Sequence, residues 1–396
     1  MQEIFVRSSY MEVRLIKPEE SVDYLKISAA SFIWKFNEEE DKETEMPVMG
    51  AFHEGKLIAG VELFDFKCNY CGNIINTLVL SGVCSMPEYR RMGGVRAIFD
   101  KVGKTAVEND IVAGFLSPFS IEYYEKFGFA NLNRTFGVRV PFQNLRHIPR
   151  NNDVELFTGE QLAELCELHN KCALKENLMT LREDIKHFCD KPLEETDYTY
   201  IHRDTNGKAD GYVRFRVKRP DEVVAEELFA LNPDALYALV GFLRNYDGIT
   251  KTLLVKKQYQ GSPFGCIADR IDGAVYEYQN GTAGRIYDLK KLLENNVYPE
   301  KHGSFSILSI DEYEQNKGIF DVEYQDGKAT VTRRENGDYD ISLTAPAAAR
   351  LLLAGEGHTS ETAVYIDGVK LKTNADDFFR AFPHRATRFT DSFWSV

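Results

Sequence analysis

The stretch "SGVCSMPEYRRMGGVRAIF", Ser81 to Phe99, decides how this chain is read. It runs from an apolar, strand-like segment through Arg90, Arg91, Gly93 and Gly94 into an amphipathic one. There Val95, Ile98, Phe99 and Val102 fall at i, i+3, i+4 and i+7, one face of a helix. A strand that feeds a turn and then a helix N-terminus offers unpaired amides and the positive end of the helix dipole to an anion. Gly93 and Gly94 remove side chains where phosphates would approach the backbone, and the two arginines add donors and charge. Local physics supports two readings equally: a diphosphate cradle, or a surface turn with exposed arginines.

Around that stretch the pattern is mixed α/β. "VMGAFHEGKLIAGVELFDF" (Val48 to Phe66) reads as strand, turn, strand, and a further apolar run covers Ile74 to Met86. Downstream, "IVAGFLSPF" reads as a buried strand and "SIEYYEKFGF" as a short helix ending at Gly128. The pattern then recurs. "YTYIHRDTNGKADGYVRFRV" (Tyr198 to Val217) echoes the first hairpin, and "VVAEELFALNPDALYALVGFLRNY" echoes strand, x-Pro step and helix without the Arg-Arg-x-Gly-Gly turn. From about Gly281 the texture alternates apolar and polar residues. Asp326-Gly327 and Asn336-Gly337 both predict hairpins, and "APAAARLLLAG" predicts a helix with Pro346 near its start.

Composition limits the function classes. At 396 residues the chain is too long for one ordinary core, and 43% apolar with 28% charged residues reads as soluble and globular. It has no apolar run of about 18 residues and no signal-peptide pattern at its start, which predicts no membrane span and no export. The net charge of −13 argues against a nucleic-acid binder and suits cationic small molecules or basic segments. Seven cysteines form no disulfide framework and fit a reducing, cytoplasmic setting. Cys68 and Cys71 have C-x-x-C spacing but no second pair, so free thiols at a turn are expected rather than a metal. Cys166, His169 and Cys172 on one predicted helix are likewise expected to be structural. "VGKT" at Val102 lacks the upstream glycine of a P-loop and lies within the helical pattern.

The segment "VCSMPEYRRMGG" resembles the acetyl-coenzyme A (acetyl-CoA) motif of the GNAT acetyltransferases, an Arg/Gln-x-x-Gly-x-Gly/Ala loop after a strand. Val95 stands where that motif ends in Gly or Ala. The longer form through Phe99, together with "YYEKFGF", "LMTLREDIKHF" and "GRIYDLKKLL", is similar to the Eis (enhanced intracellular survival) branch, in the right order over nearly the whole chain. The resemblance implies an α/β chain of mixed sheets: a GNAT domain over 1–150, a second GNAT-like domain without the cofactor loop over 151–280, and a sterol-carrier-protein-like α+β domain over 281–396. It also implies a homo-oligomer, a hexamer in that branch.

The same resemblance assigns roles. Backbone groups of Val83, Cys84 and Ser85 would line the pantetheine and polarise the thioester carbonyl. Arg90 with Arg91, Met92, Gly93, Gly94, Val95 and Arg96 would hold the diphosphate, and Phe119 and Ser120 would give further cofactor contacts. Tyr124 would be the acid for the departing thiolate; a phenol of pKa ~10 protonates a thiolate of pKa ~8.5 only uphill, so a short hydrogen bond is expected, which a lowered phenol would assist. The base in that branch is the chain's terminal carboxylate, here Val396, although the family's tail ends nearer an aromatic such as Phe393, up to ~10 Å earlier in the chain. Phe32, Trp34 and Phe36 would build part of the acceptor pocket, with core packing expected to claim at least one of them. The implied reaction is direct acetyl transfer, without a metal, to amines of aminoglycoside-like or polyamine substrates. The alternatives are a lysine or small-polyamine acetyltransferase, or a non-catalytic binder of acetyl-CoA or an apolar ligand.

Overall fold

A computed structural model describes residues 11–44, 46–132, 135–183, 197–218, 220–278 and 281–389. The first part of the chain contains β1 (Glu12–Leu15), α1 (Ser21–Phe32), β2 (Val48–His53), β3 (Lys56–Tyr70), β4 (Asn73–Ser85), α2 (Gly94–Ala106), β5 (Ala113–Leu116), α3 (Ile121–Glu125) and β6 (Ala130–Asn131). Next come β7 (Phe136–Pro141), β8 (Glu155–Leu156), α4 (Leu162–Ala173), β9 (Asp197–Arg203), β10 (Ala209–Lys218), β11 (Glu222–Ala230), α5 (Pro233–Leu243), β12 (Thr252–Gln258), α6 (Pro263–Ala268) and β13 (Val275–Tyr278). The remaining strands are β14 (Ala283–Ile286), β15 (Gly303–Ile310), β16 (Gly318–Gln325), β17 (Lys328–Arg334), β18 (Ile341–Thr344) and β19 (Val369–Leu371). The strand, turn and helix periods around the opening stretch and in its echo thus appear as elements of the expected types.

Two sheets share one plan. Their orders are β1-β2-β3-β4-β5-β14-β6 and β13-β7-β12-β11-β10-β9-β8. Each is antiparallel except for one parallel pair, β4 with β5 in the first and β11 with β12 in the second. A parallel pair needs a crossover, and α2 and α5 supply it. The echo read in the sequence therefore corresponds to a repeated topology.

A reciprocal exchange of strands joins the two sheets. β7 precedes position 150 yet pairs with β12 and β13 in the second sheet, and β14 follows position 280 yet lies between β5 and β6 in the first. Each exchanged strand covers an edge that would otherwise present unpaired backbone groups. Both expected divisions are thus crossed by hydrogen-bonded strands.

The third sheet, β17-β16-β15-β18-β19, begins at Gly303. Asp326-Gly327 closes the β16–β17 hairpin with both residues at positive φ, as predicted. Asn336-Gly337 is a correction: it closes no hairpin, because β18 pairs parallel with β15 and not with β17. A turn signal specifies local bending, whereas the partner strand is chosen by the sheet. The predicted helix spans 345–353 and ends before Gly355. This region shares its core with the first sheet: Phe305, Ile307 and Leu352 join Phe64, Tyr70 and Phe115, and the Tyr70 hydroxyl donates to the Leu352 carbonyl at 3.0 Å. The Arg285 guanidinium ties the same units by donating to the Phe127 carbonyl and to Asp311 at 2.6 Å.

Cys71 lies in the β3–β4 turn, and Cys68, buried near the end of β3, has its sulfur 3.3 Å from the Thr77 hydroxyl; neither is in a disulfide among the described residues. His169 is buried between the Tyr212 hydroxyl and the Thr180 carbonyl, 2.9 Å from each. Desolvation lowers its pKa well below the usual value, holding the ring neutral.

Candidate active site

The site is an open strand edge. β4 pairs with β5 only over Thr77–Val79, while on its other side β3 follows it to Ser85. From Leu80 to Ser85 the edge facing β5 therefore has no partner strand among the described residues, a length of about 20 Å at roughly 3.3 Å per residue. Unpaired amides and carbonyls along that edge are available to an extended polar ligand. Val83, Cys84 and Ser85 all lie on it. The Cys84 side chain is buried, and desolvation, with Glu62 nearby, pushes its thiol up to about 12. A thiol so raised is a poor nucleophile.

A bulge shapes the middle of this edge. Gly82 and Val83 together oppose Val61 of β3, and Gly82 has φ +57°. The Tyr24 hydroxyl donates to the Gly82 carbonyl at 3.1 Å, and a Cβ at Gly82 would collide with that hydroxyl and lie 3.1 Å from Glu62 Oε2. The glycine is required by both backbone conformation and space. Glu62, half-buried on β3, thereby brings a carboxylate beside the open edge. Sequence reasoning missed Gly82 and Glu62. The glycine inside an apolar strand was the available signal for a bulge, whereas nothing local marked the glutamate.

The edge leads into the arginine–glycine turn. Gly93 is the N-cap of α2 at φ +91°, no side chain caps the helix, and Arg91 is also left-handed at φ +68°. The first amides of α2 are thus left to external acceptors. Space beside Gly93 is open: a Cβ there would meet no atom within 4 Å. Arg90, Arg91 and Met92 are exposed, and the two arginines enter no ion pair among the described residues. Val95 instead packs half-buried on the core, and Arg96 faces Glu312 at 3.6 Å and the Phe127 ring at 5.0 Å. These features fit a phosphate-bearing donor through Arg90–Gly94; Arg96 is shared with the third region.

Tyr124, on α3, is 3% exposed among Phe99, Phe119, Tyr123 and Phe129, with ring centroids 5.1–6.2 Å away. Burial pushes its phenol above the ordinary value, with Tyr123 adding to the effect, so the lowered phenol allowed for from sequence is corrected. Phe119 is 76% exposed against Tyr123 and Tyr124. Ser120 is engaged structurally, its hydroxyl accepting from the Tyr123 amide at 3.3 Å to cap α3. Val396 lies outside the described residues. The last described residue, Phe389, packs against Phe115 of β5 with centroids 4.7 Å apart.

At the end of α1, core packing does not hold the aromatic run. Phe32 is 53% exposed, Trp34 36%, and the intervening Ile33 93%. Trp34 and Phe36 lie 6.2 Å apart, and Phe36 lies under the Lys26 ammonium at 5.5 Å. No group of metal-ligating side chains occurs among the described residues. Among those residues, too, no helix is long and apolar enough to cross a membrane.

Comparison with known proteins gives this geometry a class. Residues 12–131 match a GNAT acetyltransferase domain, and residues 181–286 match a second GNAT acetyltransferase domain. No curated protein sequence matches the chain. Among solved structures, a conserved protein of Enterococcus faecalis V583 described as a probable N-acyltransferase superposes with a TM-score of 0.84 at 19% identity, covering 96% of this chain and 99% of that one. A GCN5-related N-acetyltransferase of Anabaena variabilis gives 0.82 at 18% identity, over 96% and 99%. Eis1 of Mycobacterium abscessus gives 0.76 at 17%, over 96% and 98%. At such identities these likenesses concern the fold alone. GNAT domains use acetyl-CoA as acyl donor and an amine-bearing acceptor, which agrees with an open strand edge ending in a helix N-terminus. The chain therefore carries two GNAT acetyltransferase domains in tandem, followed by a third sheet-rich region, and is an enzyme of the acyltransferase class.

Proposed function

We propose that the first GNAT domain transfers acetyl directly from acetyl-CoA to an amine of an aminoglycoside-like or polyamine substrate. One observation carries this reading: the open edge of β4 runs into the uncapped N-terminus of α2 at Arg90–Gly94. The pantetheine lies along Val83–Ser85, with Phe119 and Ser120 on its far side, and the diphosphate meets Arg90, Arg91 and the amides that follow Gly93. A neutral amine attacks the thioester carbon, forming the C–N bond while edge amides stabilise the oxyanion. Collapse breaks the C–S bond, and the thiolate takes the Tyr124 proton. The ammonium proton leaves to a carboxylate. Glu62 beside Gly82 is one candidate, and Val396, seven residues beyond Phe389, is the one carried over from the Eis resemblance.

The net charge of −13 and the Glu62 carboxylate support a cationic acceptor. The exposed run Phe32, Ile33 and Trp34 favours a second reading, a lysine presented on a peptide that packs on those side chains. With Phe36 they form the proposed acceptor wall. The units are proposed as 1–150, 151–280 and 281–396, each junction carrying an exchanged strand, with the third unit like sterol carrier proteins. A homo-hexamer in the cytoplasm is part of the same resemblance, and light scattering tests the assembly.

The test is thiol release from acetyl-CoA with aminoglycosides, spermidine and a lysine peptide. Amine-dependent release is expected, with Arg90→Glu/Arg91→Glu raising the donor KM at least tenfold. Tight donor binding without release from any amine would favour a binding protein. Release with an unchanged KM in the double variant would remove the arginine turn from the donor site.

A further inference from the structure

The second sheet repeats the splayed pair. β11 matches β12 only over Glu222–Ala225, and its last five residues, Glu226 to Ala230, run on without it. At that divergence lies a cavity of about 640 Å³, within the range of about 300–1,000 Å³ usual for small-molecule pockets. It occupies the topological place that the proposed donor site has in the first sheet. A diphosphate does not suit it. Asn232 and Pro233 stand where the first sheet has its arginine–glycine turn, the Asn232 side chain already caps the Ala235 amide at 2.8 Å, and Pro233 has no N–H.

The lining points to different chemistry. Leu228, Phe229, Leu236, Phe264 and Ile267 give it apolar walls. Glu176 is its only carboxylate among the described residues, and both oxygens are held by buried Arg388 at 2.6 and 2.7 Å, with Tyr259 donating as well at 3.3 Å. That pair cancels its own charge and leaves nothing for a cationic ligand. Lys175 and Arg270, both exposed on the lining, remain as uncompensated positive charge. Lys175 donates to a neutral partner, the Leu231 carbonyl, at 3.3 Å, and Arg270 enters no ion pair among the described residues. In a chain of net charge −13, this apolar cavity thus has two cations and no unpaired carboxylate on its described lining.

We infer that this cavity of the second GNAT domain is a binding site for an amphipathic carboxylate, with its apolar body between β11, α5 and α6 and its acid group at Lys175 and Arg270. The site is separate from acetyl transfer in the first domain and does not depend on it.

The test uses decanoate below its micelle concentration, with decylamine and 1-decanol as probes of the charge. Calorimetry on the full chain should give saturable one-to-one binding of decanoate, at least tenfold tighter than decylamine. Lys175→Glu/Arg270→Glu, two exposed changes, should weaken it at least fivefold, and Leu236→Trp should block it by filling the cavity. Cys266, exposed on the lining, supplies a local readout. Decanoate should slow its reaction with a thiol reagent at least fivefold, and acetyl-CoA should not displace decanoate. Equal binding of decylamine, no saturable binding, indifference to the charge reversal, or competition by acetyl-CoA would each overturn the inference. If Leu236→Trp fails to fold, the charge reversal and Cys266 protection still decide.

Discussion

Replacing Tyr124 by phenylalanine removes one hydroxyl and leaves its ring among Phe99, Phe119, Tyr123 and Phe129. The Tyr124 hydroxyl makes no hydrogen bond among the described residues, so folding stability should change by less than about 1 kcal/mol. Activity should change far more. A positioned general acid is worth roughly 10²–10⁴ in rate, or about 2.7–5.5 kcal/mol of barrier at about 1.36 kcal/mol per tenfold. Thiol release under saturating donor and amine should therefore fall at least tenfold, with donor affinity and the melting curve near wild type. The pH profile adds a sign. Burial raises the phenol, so its acid form persists through pH 10, and the wild-type rate should show no alkaline decline from Tyr124 below that point. A Tyr124→Phe rate within twofold of wild type, at every pH from 6 to 10, would refute the acid role.

Three further outcomes are expected. Gly82→Ala forces an L-residue to φ +57° at about 1–2 kcal/mol and displaces the Tyr24 hydroxyl from the Gly82 carbonyl for about 1 more; urea denaturation should show a loss of ~2–3 kcal/mol, and an unchanged midpoint would contradict it. Arg388→Leu leaves Glu176 buried and unpaired, a loss of about 3–5 kcal/mol, whereas Arg388→Leu/Glu176→Leu should recover most of it; a double variant as unstable as the single would show that the pair is not the cause. Burial raises the phenols of Tyr24, Tyr70, Tyr212 and Tyr287 above their unfolded value of about 10, so their contribution is complete below pH 10 and lost above it. Melting temperature should fall steeply above pH 10, and a flat alkaline profile would exclude that linkage.

The elements that were legible in sequence are those whose signal is local. The strand–turn–helix of Ser81–Phe99, its echo at 223–246, and the Asp326-Gly327 hairpin depend on side-chain period and backbone preference over a few residues. The arginine–glycine turn was legible for the same reason, since a helix start and its positive φ are written where they occur. The signal failed wherever a partner was distant. Asn336-Gly337 bends the chain as expected, but the strand after it pairs with β15. For Phe32, Trp34 and Phe36 the sequence leaves acceptor wall and core packing both open, because hydrophobicity alone cannot say whether another element covers the end of α1; Phe32 and Trp34 are exposed.

By itself, the sequence determined the element types, the repeat, and the presence of an arginine–glycine turn at a helix start in the first copy and its absence from the second. Tertiary structure decided the rest: that β7 and β14 are exchanged between sheets, that the parallel pairs splay to leave an edge at β4 and a cavity at β11, and that Glu62 meets Gly82. The physical reason is range. Periodicity and turn preference act between neighbours in the chain, whereas strand partners, splay and burial are set by whichever distant edge or face is left to cover.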